Sequence, residues 1–167
     1  MKTFVLSLLS AATFSLSFTA TAQDLEEKKV FSESPMVLPP APEAANLLLF
    51  YQSETQSFYL DTKSMSIAAD GSLRYTMVSK SKSGASNVSY EGLLCETMQK
   101  RSFAFGRKDS TWSESKRVEW ENISNSGVNL QHSTLAWDFV CDFNRISGGI
   151  EKIVQRIRRN ESIQRYH

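Results

Sequence analysis

The sequence predicts an α+β domain, an antiparallel meander of about five strands with a C-terminal helix packed on one face. Three observations carry this: single glycines punctuate apolar runs between residues 47 and 106, period-two alternation follows Asp70-Gly71, and an isoleucine stripe of helical period closes the chain. At 167 residues there is room for one domain and a tail. With 19 Lys+Arg against 18 Asp+Glu the formal charge is +1. That excludes a generally basic nucleic-acid binder, which would carry a basic excess over much of its length. A content of 41% hydrophobic and 22% charged residues is ordinary for a globular domain and names no chemistry.

The N-terminus is organised before the domain begins. Lys2 precedes an apolar stretch from Phe4 to Phe18, and Ala20-Thr21-Ala22 places small residues at the −3 and −1 positions before Gln23. This is the layout of a cleavable secretory signal over residues 1–22. The stretch is shorter than the roughly 20 apolar residues of a spanning helix, so no transmembrane segment is expected after cleavage. The first cysteine is Cys95, which leaves no lipidation site at the cleavage point. The expected location is therefore the periplasm, without a lipid anchor. Residues 23–46 read as a leader: charged from Asp24 to Lys29, then holding all four prolines, Pro35, Pro39, Pro40 and Pro42. Proline lacks an N–H and its ring obstructs helix, so this segment should run extended, either mobile or laid across the surface of the globular domain at 47–167.

In that domain the first strands are Leu47–Tyr51 and Phe58–Leu60. Asp70-Gly71 is the strongest hairpin signal. After it Leu73, Tyr75 and Met77 alternate with Arg74, Thr76 and Val78, one face buried. Gly84 marks another turn. Asn87–Cys95 places Val88, Tyr90 and Leu94 on one face and Ser89, Glu91, Leu93 and Cys95 on the other, with Gly92 at a bulge or bend. Phe103 and Phe105 form a short strand ending at Gly106. Asp109–Gly127 has no sustained period and reads as irregular chain with room for one helical turn. Leu135, Phe139 and Phe143 recur at i+4, predicting a short helix that carries Cys141. Ser147 is the expected N-cap of the last helix, in which Ile150, Ile153, Val154 and Ile157 share an arc of about 100° and which ends near Asn160.

The last helix also holds the charge asymmetry: residues 150–167 are +3 and residues 23–149 are −3. Lys152, Arg156 and Arg159 project opposite the isoleucine stripe. They predict either a weak contact with an anionic envelope surface or a solvated face suited to the C-terminal end of the helix dipole.

Cys95 and Cys141 are the only cysteines, so an intrachain bridge can join only those two. Their wide separation favours a structural bridge over a reactive pair, which would more often sit as Cys-x-x-Cys. The only histidines are His132 and His167. No Gly-x-Ser-x-Gly elbow, no His-Glu-x-x-His and no glycine-rich phosphate loop occurs, so neither metal nor cofactor is expected. The densest polar constellation is Arg74, Asn87, Tyr90 and Glu91 on neighbouring strands, with Trp112 nearby in sequence. Such a set could orient a polar ligand, with an aromatic ring stacking on a sugar or peptide. The plainer alternative is a cross-strand Arg74–Glu91 pair on the solvent face, worth less than about 1 kcal/mol. Tyr90 and Glu91 fall on opposite faces of their strand and can share a pocket only through a bulge.

Asp70-Gly71-Ser72-Leu73-Arg74-Tyr75-Thr76 and Ser83-Gly84-Ala85-Ser86-Asn87-Val88-Ser89-Tyr90-Glu91-Gly92, with Cys95, Trp112, Trp120, Cys141 and the proline-rich lead into Leu47–Phe50, make a pattern. Over most of residues 36–145 the chain resembles the CNP-like family, cryptic-neisserial-protein-like envelope proteins; the helix beyond Arg145 is not part of the likeness. The resemblance implies an exported domain in a Gram-negative bacterium, with paired cysteines and no established activity. The functional expectation is a non-catalytic periplasmic module that binds an envelope component or a partner protein. The alternative is a small hydrolase acting on envelope polymers through Glu91 or His132.

Overall fold

The computed structural model describes residues 31–127 and 130–166. The expected signal at 1–22, residues 23–30 of the leader and His167 lie outside them. Strands β1 (Leu47–Gln52), β2 (Gln56–Ile67), β3 (Leu73–Ser81), β4 (Ser86–Leu94), β5 (Gln99–Gly106) and β6 (Trp112–Glu114) pair antiparallel in sequence order. β7 (Glu121–Asn122) also pairs with β5. Helix α1 (Gln131–Ser133) runs on as a π-helical segment, Thr134–Val140, followed by a small hairpin of β8 (Cys141–Asp142) and β9 (Arg145–Ile146) and by helix α2 (Ile150–Arg159). The α+β meander with a C-terminal helix on one face is therefore the observed architecture.

Turn chemistry sets the meander. The β2–β3 connection closes with Gly71 at φ +81°, its N–H on the carbonyl of Ala68, and the β3–β4 connection with Gly84 at φ +90°. Both are left-handed positions that glycine occupies without a Cβ clash. β2 is longer than its apolar core suggests, because a register shift between Asp61 and Ser66 absorbs the polar residues there. Between β4 and β5 the register passes from Tyr90↔Ala104 to Glu91↔Ser102, so Phe103 is an extra residue on β5. Its ring lies over Gly92, where a Cβ would come within 2.8 Å of Phe103 and 2.9 Å of Trp120. Gly92 thus allows a close approach of rings beside the bulge rather than bending its own strand.

The centre of the sheet is buried on both sides. On the first face Leu60, Leu73, Tyr75, Met77 and Leu93 pack under the π-helical segment and α2, whose Ile153 and Ile157 are buried in the same cluster. Burial of each such isoleucine contributes roughly 1.5–3 kcal/mol. The second face carries a smaller cluster of Tyr90, Phe103 and Ala104, with Met36, Leu38, Trp112 and Trp120 packed on it. Within the leader, residues 31–43 lie extended across the surface as a strap over the sheet's second face, and Ala44–Asn46 close it with a 3-10 turn before β1. Among the described residues no helix is long and apolar enough to cross a membrane.

Four expectations need correction. The segment after β5 is not simply irregular: β6 and β7 lie within it, because β5 still offers backbone donors and acceptors on its outer edge. The i+4 helix does not carry Cys141 or Phe143. It ends at Val140, Cys141 opens β8, and Phe143 sits in the β8–β9 turn at φ +44°, 83% exposed. Ser147 is not the cap of α2, whose N-cap is Gly149. Ser147 instead accepts the Arg156 guanidinium at its carbonyl, 2.5 Å, and hydroxyl, 3.1 Å. Arg156 therefore leaves the solvated face: it also donates to the carbonyl of Phe139 at 2.8 Å, filling an acceptor that the end of the π-helical segment leaves open. α2 does end as expected, with Asn160 in the left-handed region at φ +51°.

The Cys95–Cys141 disulfide joins the end of β4 to the start of β8, Cα–Cα 5.5 Å, and so ties the sheet to the helical layer. Closing a loop of this length is worth roughly 4 kcal/mol on the chain-entropy account. At the β2–β3 turn, Asp70 accepts the N–H groups of Ser34 (2.8 Å) and Ser72 (2.9 Å), the Ser72 hydroxyl (2.5 Å) and the Arg74 guanidinium (2.6 Å). Burial alone would raise its pKa. The hydrogen bonds of Ser72 and Ser34 and the charge of Arg74 outweigh that and hold it at about 2.

Two outcomes are expected. Because the folded pKa of Asp70 lies below the unfolded value, its stabilisation is complete above pH ~5 and is lost as pH falls through ~4 towards 2. Denaturant titrations across that range should show the loss in the wild type and a much flatter profile in Asp70→Asn. Gly92→Ala should lower stability by roughly 1–3 kcal/mol, measured by the same unfolding midpoint, since the rings of Phe103 and Trp120 must shift.

Candidate functional site

Strand alternation divides the sequence constellation between the two faces. Tyr75 pairs with Glu91 and Arg74 with Gly92 across β3–β4. Asn87 and Glu91 therefore lie on the first face, and Arg74 and Tyr90 on the second. Trp112, in β6, packs against Tyr90 at a ring separation of 6.2 Å. The cross-strand Arg74–Glu91 pair does not exist, and neither residue faces solvent: they are 4% and 5% exposed. Arg74 pairs with Asp70, and its guanidinium lies 4.0 Å from the Phe103 ring centroid.

Glu91 is the centre of the first-face site. An unpartnered carboxylate at this depth would cost several kcal/mol. Three donors offset that cost: Tyr75 Oη at 3.1 Å and His132 Nε2 at 2.7 Å on Oε2, and Ser89 Oγ at 2.6 Å on Oε1. Tyr75 is the register partner and Ser89 lies two residues back, so both fall on the same face. His132 comes from α1, 41 positions away in sequence. Burial raises the Glu91 pKa, but the charge and hydrogen bond of His132, the Ser89 hydroxyl and the charge of Lys100 prevail, and it lies below the usual carboxylate range. Burial, then the charge and hydrogen bond of Glu91, push the Tyr75 phenol well above its ordinary value, so it remains a donor.

Beside this network lies a cavity of about 310 Å³. Phe58, Met77 and Phe105 form its apolar wall, and Ser79, Asn87, Ser89, Glu91, Gln131 and His132 its polar wall. Phe105 is 47% exposed, a large apolar ring with unused surface. His132 is fixed by Glu91 through Nε2, which leaves Nδ1 for a ligand. Ser89 donates to Glu91 and not to His132, so no hydroxyl here is in contact with the imidazole that would activate it. No group of three His, Cys, Asp or Glu among the described residues could hold a metal ion.

Of the five residues singled out in the sequence, the structure brings Asn87 and Glu91 to this cavity. Arg74, Tyr90 and Trp112 gather under the strap. Ser89, Phe105, Gln131 and His132 help to line the cavity, and the buried Tyr75 supports Glu91. The period-two rule places Ser89 and Tyr75 beside Glu91 once the hairpin register is known, whereas nothing local ties His132 or Gln131 to β4.

A family model, described as the CNP1-like family, matches residues 26–158, extending the likeness read from the motifs. No curated protein and no solved structure matches the chain.

His132→Ala should leave Glu91 buried with one donor fewer, raising its carboxyl pKa. Acid unfolding should then begin at higher pH than in the wild type. Stability near neutrality should fall by roughly 2–4 kcal/mol, read from denaturant unfolding at a series of pH values.

Proposed function

The chain belongs to the CNP1-like family, and from that premise we propose an exported, periplasmic, non-catalytic module that binds an envelope component or partner protein through the first-face cavity. The carrying observation is the Glu91–His132 pair lining a cavity whose opposite wall includes the half-exposed ring of Phe105. Such a surface suits a polar ligand with an apolar face, a sugar or a short peptide: C–H groups stack on the ring, and the amide, hydroxyl and imidazole groups fix orientation. Export is supported by the signal pattern at 1–22 and by a disulfide, which persists in an oxidising compartment. Lys152 and Arg159 remain on the outer side of α2 for a weak contact with anionic surfaces.

A hydrolase acting on envelope polymers is the second reading, favoured by the 2.7 Å carboxylate–imidazole contact, the arrangement that orients a general base.

Titration of isotope-labelled protein with soluble peptidoglycan fragments, sugar-only and peptide-only, should shift amide resonances of Asn87, Ser89, Phe105 and His132. Phe105→Ala should weaken the binding about tenfold. Absence of shifts with every fragment would count against the binding reading. Release of soluble products from intact polymer, abolished by His132→Ala, would replace it with the hydrolase. Osmotic-shock fractionation of expressing cells should recover the chain in the periplasmic fraction, and retention in the cytoplasm would remove the export claim.

A further inference from the structure

The strap lies on the second face of the sheet in the manner of a bound peptide. From Glu33 to Leu38 its exposure alternates strictly, with Ser34, Met36 and Leu38 turned inward. It forms no strand, and among the described residues no backbone–backbone hydrogen bond joins it to the sheet. Side chains of the body hold it instead. Asp70 accepts the N–H of Ser34, and Trp112 Nε1 donates to the carbonyl of Pro39 at 2.7 Å. These two contacts read backbone, and the Asp70 N–H also donates to the Ser34 hydroxyl at 2.9 Å, which reads a side chain. Arg101 and Trp120 Nε1 both donate to the Glu33 carboxylate, which specifies an acidic side chain. An aromatic-lined groove with an indole N–H on a proline carbonyl is a general solution for extended, proline-containing segments.

The cis segment also leaves the groove incompletely used. Arg74 Nη1 and Arg101 Nε are buried without a hydrogen-bond partner, although Arg74 is 96% buried and both guanidinium groups lie within 5 Å of the Phe103 centroid. A cavity of about 310 Å³ remains beside Met36 and Pro39. Arg74 lines that cavity, so an unfilled cationic donor and unused volume coincide there and suit a ligand with more acceptor groups than the strap supplies.

We propose that the second face of the sheet is a docking groove for an acidic, proline-containing, extended segment of a partner protein, and that residues 31–39 are a displaceable occupant held in cis. A tethered occupant competes at an effective concentration on the order of millimolar, so a free peptide enters only when the tether's grip is weakened. This groove is separate from the Glu91–His132 cavity and does not depend on the function proposed for it.

The probe is a labelled synthetic peptide spanning residues 31–42, titrated by fluorescence anisotropy into the full chain. Glu33→Ala with Met36→Ala in the chain removes two grips of the cis strap and leaves the groove intact. That variant should bind the probe at least about tenfold tighter than the wild type. Adding Trp112→Phe, which keeps an aromatic ring and removes the donor, should reverse the gain about tenfold. A scrambled peptide should not bind. Hydrogen exchange of the wild type should show the amides of 31–38 opening well before those of β3 and β4. The proposal fails if the loosened chain is folded by circular dichroism yet takes up no probe, or binds the scrambled peptide equally. It fails as well if the loosened chain no longer folds, or if strap amides are as protected as β3, since the strap is then an integral part of the fold.

Discussion

Six consecutive residues of β3, Leu73 to Val78, are buried, and the rest of the molecule is arranged around that fact. A strand covered on both faces cannot send its polar side chains to water. Half of these residues, Leu73, Tyr75 and Met77, meet the helical layer, and the other half, Arg74, Thr76 and Val78, face the side on which the strap lies. Arg74 and Tyr75 on that strand and Glu91 on its partner β4 are therefore met by other protein groups, and those partners define the two candidate sites.

Asp70 and Glu91, both with covered carboxylates, solve the same problem differently. Asp70 is satisfied locally, by the turn it stands in, by Arg74 four residues on and by the strap. Its network stabilises the hairpin and also decides where the leader lies. Glu91 is satisfied across the fold, by its register partner Tyr75 and by His132 from α1. The first is a structural joint. The second holds an imidazole at a cavity wall, where a ligand can use it. The disulfide and the Arg156 contacts with Phe139 and Ser147 fix the helical layer against the sheet and so keep His132 within reach of Glu91.

Much of the fold was legible because its signals are local. Asp70-Gly71 and Gly84 marked the hairpins, period two assigned the faces of β3 and β4, and the isoleucine stripe marked α2. β6 and β7 were not legible, since strands of two or three residues owe their existence to the open edge of β5 and not to a pattern of their own. Cys141 was placed one element too early because i+4 spacing cannot show where a π-helical segment stops. For the site, alternation separated Tyr90 from Glu91 correctly. The supposed Arg74–Glu91 pair failed on register, a quantity set by the turn and invisible in composition.

By itself the sequence determined the meander, the faces of its central strands, the identity of the only possible disulfide partners and the extended course of a segment rich in proline. Each follows from backbone chemistry acting over a few residues. Only the tertiary structure decided that the strap would cover Arg74, that His132 would reach Glu91 and that Phe105 would stay half open beside them. Those outcomes depend on contacts between residues tens of positions apart, where burial of charge selects the partner, and no local pattern records that choice.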